Sequence, residues 1–454
     1  MKKYLSAVIL TALSGMELQA QTLQPAPKLV VNITIDQLRT DYIEHYAPLL
    51  SQNGLKKLLQ QGCVYEAAAF PFEPVDRASA IAAIATGTTP YYNNITGAQW
   101  LDRNTLRPVF CVDDSKYKTS PANLATSTIG DEMKIASAGV ALVYAIAEDP
   151  EAAVLSAGHA ADGAVWIDGK TGQWTTSDYY PKTTRDWLNA YSSIRPQPTK
   201  NGSPTNGVIG DLALDCINQH AMGQDNVTDY LAITLSAKPQ FTPNNPNDTQ
   251  SAYVDIDKTL SKVISRIEQN IGKANVLFML TGTGYAQEAN IDYSKYRVPS
   301  GTFYINRTAN LLNMYLGALY GQGKYVEACY RNQLYLNRKF IEQQRLSLSE
   351  IVRQSIDFLK QNSGVKNAEP SLADPAVSGD ITVEVAPGWQ LLNEDTQENY
   401  TVRASGISFP IIFYGATVKH EVVTTPTTAD RIAPTIAKAI QIRAPNACKA
   451  QPLR

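Results

Sequence analysis

Histidine is scarce in this 454-residue chain: His45, His159, His220 and His420 are the only four, and no two lie close in sequence. Each reads as a core or surface residue, because a lone histidine without a ligand cluster does not make a zinc site. Cysteine is equally thin. Cys63, Cys111, Cys216, Cys329 and Cys448 are widely spaced with no Cys-x-x-Cys pair, which excludes a structural zinc knuckle. Buried free thiols, or one or two disulfides with a thiol left over, are both compatible with this spacing. Charge is dispersed, with a formal net of −2 and no Lys/Arg run, so no nucleic-acid partner is expected. Long apolar runs are missing too: no segment reaches the roughly 20 residues that a membrane-spanning helix requires.

An apolar run opens the chain. In MKKYLSAVILTALSGMELQAQ, Lys2 and Lys3 precede an apolar stretch from Tyr4 to Leu13, and small residues follow near Ala20. This order predicts a secretory signal peptide over 1–20 and an exported mature chain, periplasmic or secreted. Leu18 is an imperfect residue for the cut after Ala20, and the lack of a nearby cysteine argues against lipidation.

What remains is the composition of a globular protein, 44% hydrophobic and 18% charged, enough to bury a large core. KLVVNITID (28–36) is a β-branched run of the kind that forms a buried parallel strand, and a helical pattern over 37–61 follows it. Apolar runs recur at 140–147, 229–237, 275–282 and 409–415, with helical patterns at 257–273 and 427–441. The alternation predicts an α/β fold with a mostly parallel sheet covered on both faces. Polar stretches rich in Tyr, Asn and Pro at 100–127, 160–208 and 239–256 read as insertions or a cap, and cap-like insertions are expected around 100–127, 160–208 and 290–400. Within the last, the helix-rich segment 306–361 is expected to pack beside the sheet, and 378–391 to form an edge strand or hairpin.

Several pieces together carry a resemblance: IDQLRTDYI (35–43), TGTTP (86–90), NNITGAQWLD (93–102), LSAGHAADGAVWID (155–168), SGDITVEVAPGW (378–389) and FPIIFYG (409–415). In this order the chain resembles the PafA-type alkaline phosphatases, whose superfamily also holds nucleotide pyrophosphatases and phosphodiesterases. The resemblance implies a three-layer αβα sandwich over 21–454. It also implies an active site with two zinc ions, a hydroxyl nucleophile and donors for the phosphoryl oxygens.

Position by position, the resemblance implies that most of that chemistry is gone. Asp36 is the only retained metal ligand. Arg77 stands at the nucleophile position, and a guanidinium neither attacks phosphorus nor binds a metal. Ser79, two residues on, is a poor substitute, since two helical positions turn a side chain by about 200°. Ala98 stands at an asparagine that contacts phosphate, and Asp149 and Glu151 stand at a Lys-x-Arg pair whose charge they reverse. Ala237, Phe241, Thr283 and Gly284 stand at lost zinc-ligand positions. No cofactor is therefore expected, although the family uses two zinc ions. Asp36 without its metal would be a costly buried charge, so Arg77 is expected to pair with it.

Three functions are compatible with this reading. The first is an inactive pseudophosphatase with a binding or structural role and an unknown ligand or protein partner. The second is a working phosphomonoesterase or phosphodiesterase with an unusual site. The third is a ligand-binding cap in which Trp166, Trp174, Tyr179, Tyr180 and Trp187 stack on a sugar or nucleotide, although packing within the insertion is the plainer role for these rings.

Overall fold

The computed structural model describes residues 25–195, 198, 205–238, 246–286, 293–400 and 404–454. The β-branched run at 28–36 forms strand β1 (Leu29–Asp36), buried at every position. Its flanks in the sheet are the other strongly apolar runs, β6 (Asp229–Ser236) and β7 (Val276–Gly282), both parallel to it. In chain order the remaining strands of this sheet are β2 (Cys63–Ala69), β3 (Val143–Ile146), β4 (Gly163–Ile167), β5 (Trp174–Thr175) and β8 (Phe409–Gly415).

Across the sheet the order is Glu421–Val423, β2, β8, β7, β1, β6, β3, β4, β5, and Thr427–Thr428 also pairs with β2. Strand β8 runs antiparallel to both β7 and β2, and the neighbours of β1 and β3 are parallel. The mostly parallel sheet is thus confirmed, and alternation along β1 shows its two covered faces. Leu29, Val31, Ile33 and Ile35 enter one core, with Leu260 and Ile264 of the long helix Pro246–Ile271. Val30 enters the other core, packed with helices α1 (Arg77–Thr86) and α2 (Pro150–Ala157). On that second face Asn32, Thr34 and Asp36 follow Val30 toward the strand's C-terminal end.

Three local expectations change. The helical pattern at 37–61 is broken into Thr40–Tyr46, a short 3-10 turn and Leu55–Gln61, with Pro48 near the break. Part of the supposed 160–208 insertion belongs to the sheet, because β4 pairs in parallel with β3. The 306–361 segment does not lie against the large sheet. Helix α3 (Ile305–Tyr320) and helix α4 (Leu348–Leu359) build a third core with Leu334, Leu336, Ile381 and Val383. There Ile381–Val385 is an inner strand, paired with both Gln333–Leu336 and Val365–Pro370, so the expected edge strand is interior.

Candidate functional site

The parallel strands end where α1 begins, and local chemistry fixes that start. Asp76 is the N-cap: its Oδ1 accepts the Ser79 N–H at 3.0 Å, while Ser79 Oγ accepts the Asp76 N–H at 3.0 Å. The other oxygen, Oδ2, accepts the Ala98 N–H at 2.7 Å. Ser79 is fully buried and its hydroxyl is engaged in this capping box. From Ala78 to Thr86 every residue of α1 is buried. Arg77, at the first helical position, is the one that reaches out over the strand ends.

Its guanidinium meets three carboxylates. Nη2 lies 2.5 Å from Glu151 Oε1, and Nη1 lies 2.7 Å from Asp149 Oδ2 and 3.6 Å from Asp36 Oδ2. The expected Arg77–Asp36 pair exists as an ion pair, but the short contacts go elsewhere. Asp149 and Glu151 bracket Pro150 at the start of α2, where the helix dipole favours negative charge. Read from sequence as groups that would repel phosphate, they prove to be the principal partners of Arg77.

Asp36 is held from its other side. Oδ1 accepts the Thr283 hydroxyl at 3.0 Å and the Tyr285 hydroxyl at 2.6 Å. Thr283 Oγ1 also accepts the Gln37 N–H, and the Asp36 carbonyl accepts the Ala237 N–H, each at 2.9 Å. Between Thr283 and Tyr285 the chain turns at Gly284, whose φ of +68° suits glycine. A Cβ there would sit 2.7 Å from the Phe70 ring.

Electrostatics follow from burial. The Arg77 side chain is 27% exposed, those of Glu151 and Asp36 only 6% and 3%. Burial works against the charge on Arg77, but Glu151, Asp36 and Asp149 outweigh it and hold the guanidinium above its ordinary value. Burial pushes Glu151 up, Arg77 pulls it back, and Asp149 adds to the rise. One cation among three carboxylates gives no net attraction for a phosphate dianion.

Nor does the donor set suit a pair of zinc ions. The Ala237 side chain is a methyl group, Gly284 has none, and the Thr283 hydroxyl is turned to Asp36. Phe241 lies outside the described residues. The histidines are committed elsewhere. His159 sits between Asp131 and the Leu124 carbonyl, His220 stacks on Tyr144, His420 bonds the Gly62 carbonyl, and His45 packs edge-on against Tyr46. Among the described residues no group of three or more His, Cys, Asp or Glu side chains is arranged to hold a metal. The Asp36, Asp149 and Glu151 carboxylates converge instead on a guanidinium.

Sequence reading missed two features of this cluster. Tyr285 carried no signal. The reciprocity did: an arginine at one position and acids at two others are complementary in charge. The aromatic rings of the expected cap take the packing role. Trp166, Trp174, Tyr180 and Trp187 are buried, and Tyr179 packs against the core, so these rings are packing rather than a stacking platform. All five cysteines are free thiols.

Comparison with known proteins places this geometry in a family. The model for type I phosphodiesterase/nucleotide pyrophosphatase matches residues 30–408. A Myroides odoratus protein named calcium-transporting ATPase is 27% identical over 92% of this chain and 93% of its own length. Alkaline phosphatase PafA of Elizabethkingia meningoseptica is 24% identical, covering 100% of this chain and 98% of the relative. The crystal structure of wild-type PafA superposes with a TM-score of 0.79 at 23% identity, over 94% of this chain and 98% of that one. The chain therefore belongs to the type I phosphodiesterase/nucleotide pyrophosphatase family and is a PafA-type member of the alkaline phosphatase superfamily.

Proposed function

We propose that this chain is a pseudophosphatase: an exported family member that has lost zinc-dependent phosphate ester hydrolysis and retains a binding or structural role. The observation that carries this reading is the Arg77 cluster. A guanidinium held by Glu151 at 2.5 Å and Asp149 at 2.7 Å stands where the relatives' nucleophile is expected. It supplies no attacking oxygen, and its carboxylate partners repel the substrate's charge. Ser79 gives no alternative, since its hydroxyl lies inside the capping box. The retained Asp36 is satisfied by Thr283, Tyr285 and Arg77 without a metal. Export rests on the N-terminal sequence, Lys2 and Lys3 ahead of the Tyr4–Leu13 run.

The test is initial rates on an aryl phosphate monoester and a bis-aryl phosphodiester, with zinc supplied, for wild type and Arg77→Ala. Background rates for both proteins are expected. Zinc-dependent turnover by the wild type that exceeds background would establish instead an active phosphomonoesterase or phosphodiesterase with unusual ligands.

A further inference from the structure

A cavity in the region of the third core lies apart from Arg77. Leu348, Val352 and Ile356 recur every fourth residue along α4 and so present one apolar face. Together with Pro370, Ala373 and Pro375 they line a pocket of about 460 Å³. This volume falls within the roughly 300–1,000 Å³ typical of small-molecule sites. No aromatic ring lines it, so it offers no platform for a planar base or a sugar face.

Two cations stand on its wall, and they are not equivalent. Arg353 is answered by Glu350 at 2.7 Å and Asp357 at 3.4 Å. Arg338 shares a single buried carboxylate with a second arginine: Asp380 Oδ1 takes its Nε at 2.8 Å and Nη2 at 2.5 Å, and Oδ2 takes Arg103 at 2.9 Å. The Leu336 N–H completes Asp380 at 2.7 Å. Glu327 stands near Arg103 and Asp380, with Lys324 and Lys339 also close to it. Nη1 of Arg338 has no partner among the described residues, which leaves part of its fork open.

We infer that this pocket binds a free aliphatic carboxylate, with the acyl chain along Leu348, Val352 and Ile356 and the carboxylate on Arg338. An aliphatic wall buries methylenes without stacking, and a guanidinium fork matches a carboxylate. The site is separate from the Arg77 cluster, so it stands whether or not that cluster turns over phosphate esters.

Calorimetric titration of the mature chain with sodium decanoate, 1-decanol and decyltrimethylammonium, each below its micellar concentration, tests the assignment. Saturable one-to-one binding of decanoate is expected, at least about tenfold tighter than the other two. Val352→Trp, which fills the pocket, should abolish it, and Leu348→Trp is the second filling variant should the first lower the thermal midpoint. Arg338→Gln should weaken decanoate about tenfold and leave decanol unchanged. Non-saturable uptake, equal affinity for all three headgroups, or full decanoate binding by a folded pocket-filling variant would overturn the proposal.

Discussion

Arg77 and its partners are more exacting than a surface ion pair, because two of the three carboxylates are almost wholly shielded from water. Removing the arginine leaves Asp36 and Glu151 uncompensated. Arg77→Ala should destabilise the fold by about 3–5 kcal/mol in a denaturant titration, and adding Glu151→Gln should recover part of that loss. A loss under about 1 kcal/mol would show that the cluster is not held together by charge. Ser79→Ala should cost about 1 kcal/mol through the lost capping bond and leave any residual hydrolysis unchanged.

His159 allows a test by pH. Its Nδ1 faces Asp131 Oδ2 at 2.9 Å, and that bond, against a lesser effect of burial, raises the imidazole above its ordinary value. A raised folded pKa contributes stability fully below the unfolded value and loses it as pH rises through the folded one. The stability gap between wild type and His159→Gln should therefore be wider at about pH 5.5 than at about pH 9. A gap that does not narrow on the alkaline side would mean that the imidazole is not charged in the fold.

At the level of elements, the strands were legible because buried parallel strands are runs of β-branched and aliphatic residues. The expectations at 28–36, 275–282 and 409–415 fall within about a residue of β1, β7 and β8. What sequence did not show was sheet membership. The apolar side chains of Ile381, Val383 and Val385 alternate whether a strand has one neighbour or two, so an inner strand read as an edge. Site residues showed the same limit. Asp36 and Arg77 could be paired by charge, but only the placement of the α2 N-terminus made Asp149 and Glu151 the nearer partners. The turn at Gly284 is a device of this level. Gly284→Ala introduces both a positive φ for alanine and a contact with Phe70 at 2.7 Å. It should destabilise by more than about 1 kcal/mol, read as a lowered denaturation midpoint.

On the scale of the whole molecule, the chain keeps the α/β fold of its relatives, with a region beside the large sheet that has its own core. At the strand ends, where α/β proteins place their ligands, a salt-bridged arginine now fills the space. The proposed inactivity rests on more than one residue: Arg77, Asp36, Asp149, Glu151, Thr283 and Tyr285 satisfy one another's charges and hydrogen bonds. The most direct test of that claim is the zinc content of the purified chain after equilibration with excess zinc and removal of unbound ion. The cluster predicts no stoichiometric zinc, whereas two zinc ions retained per chain would contradict it.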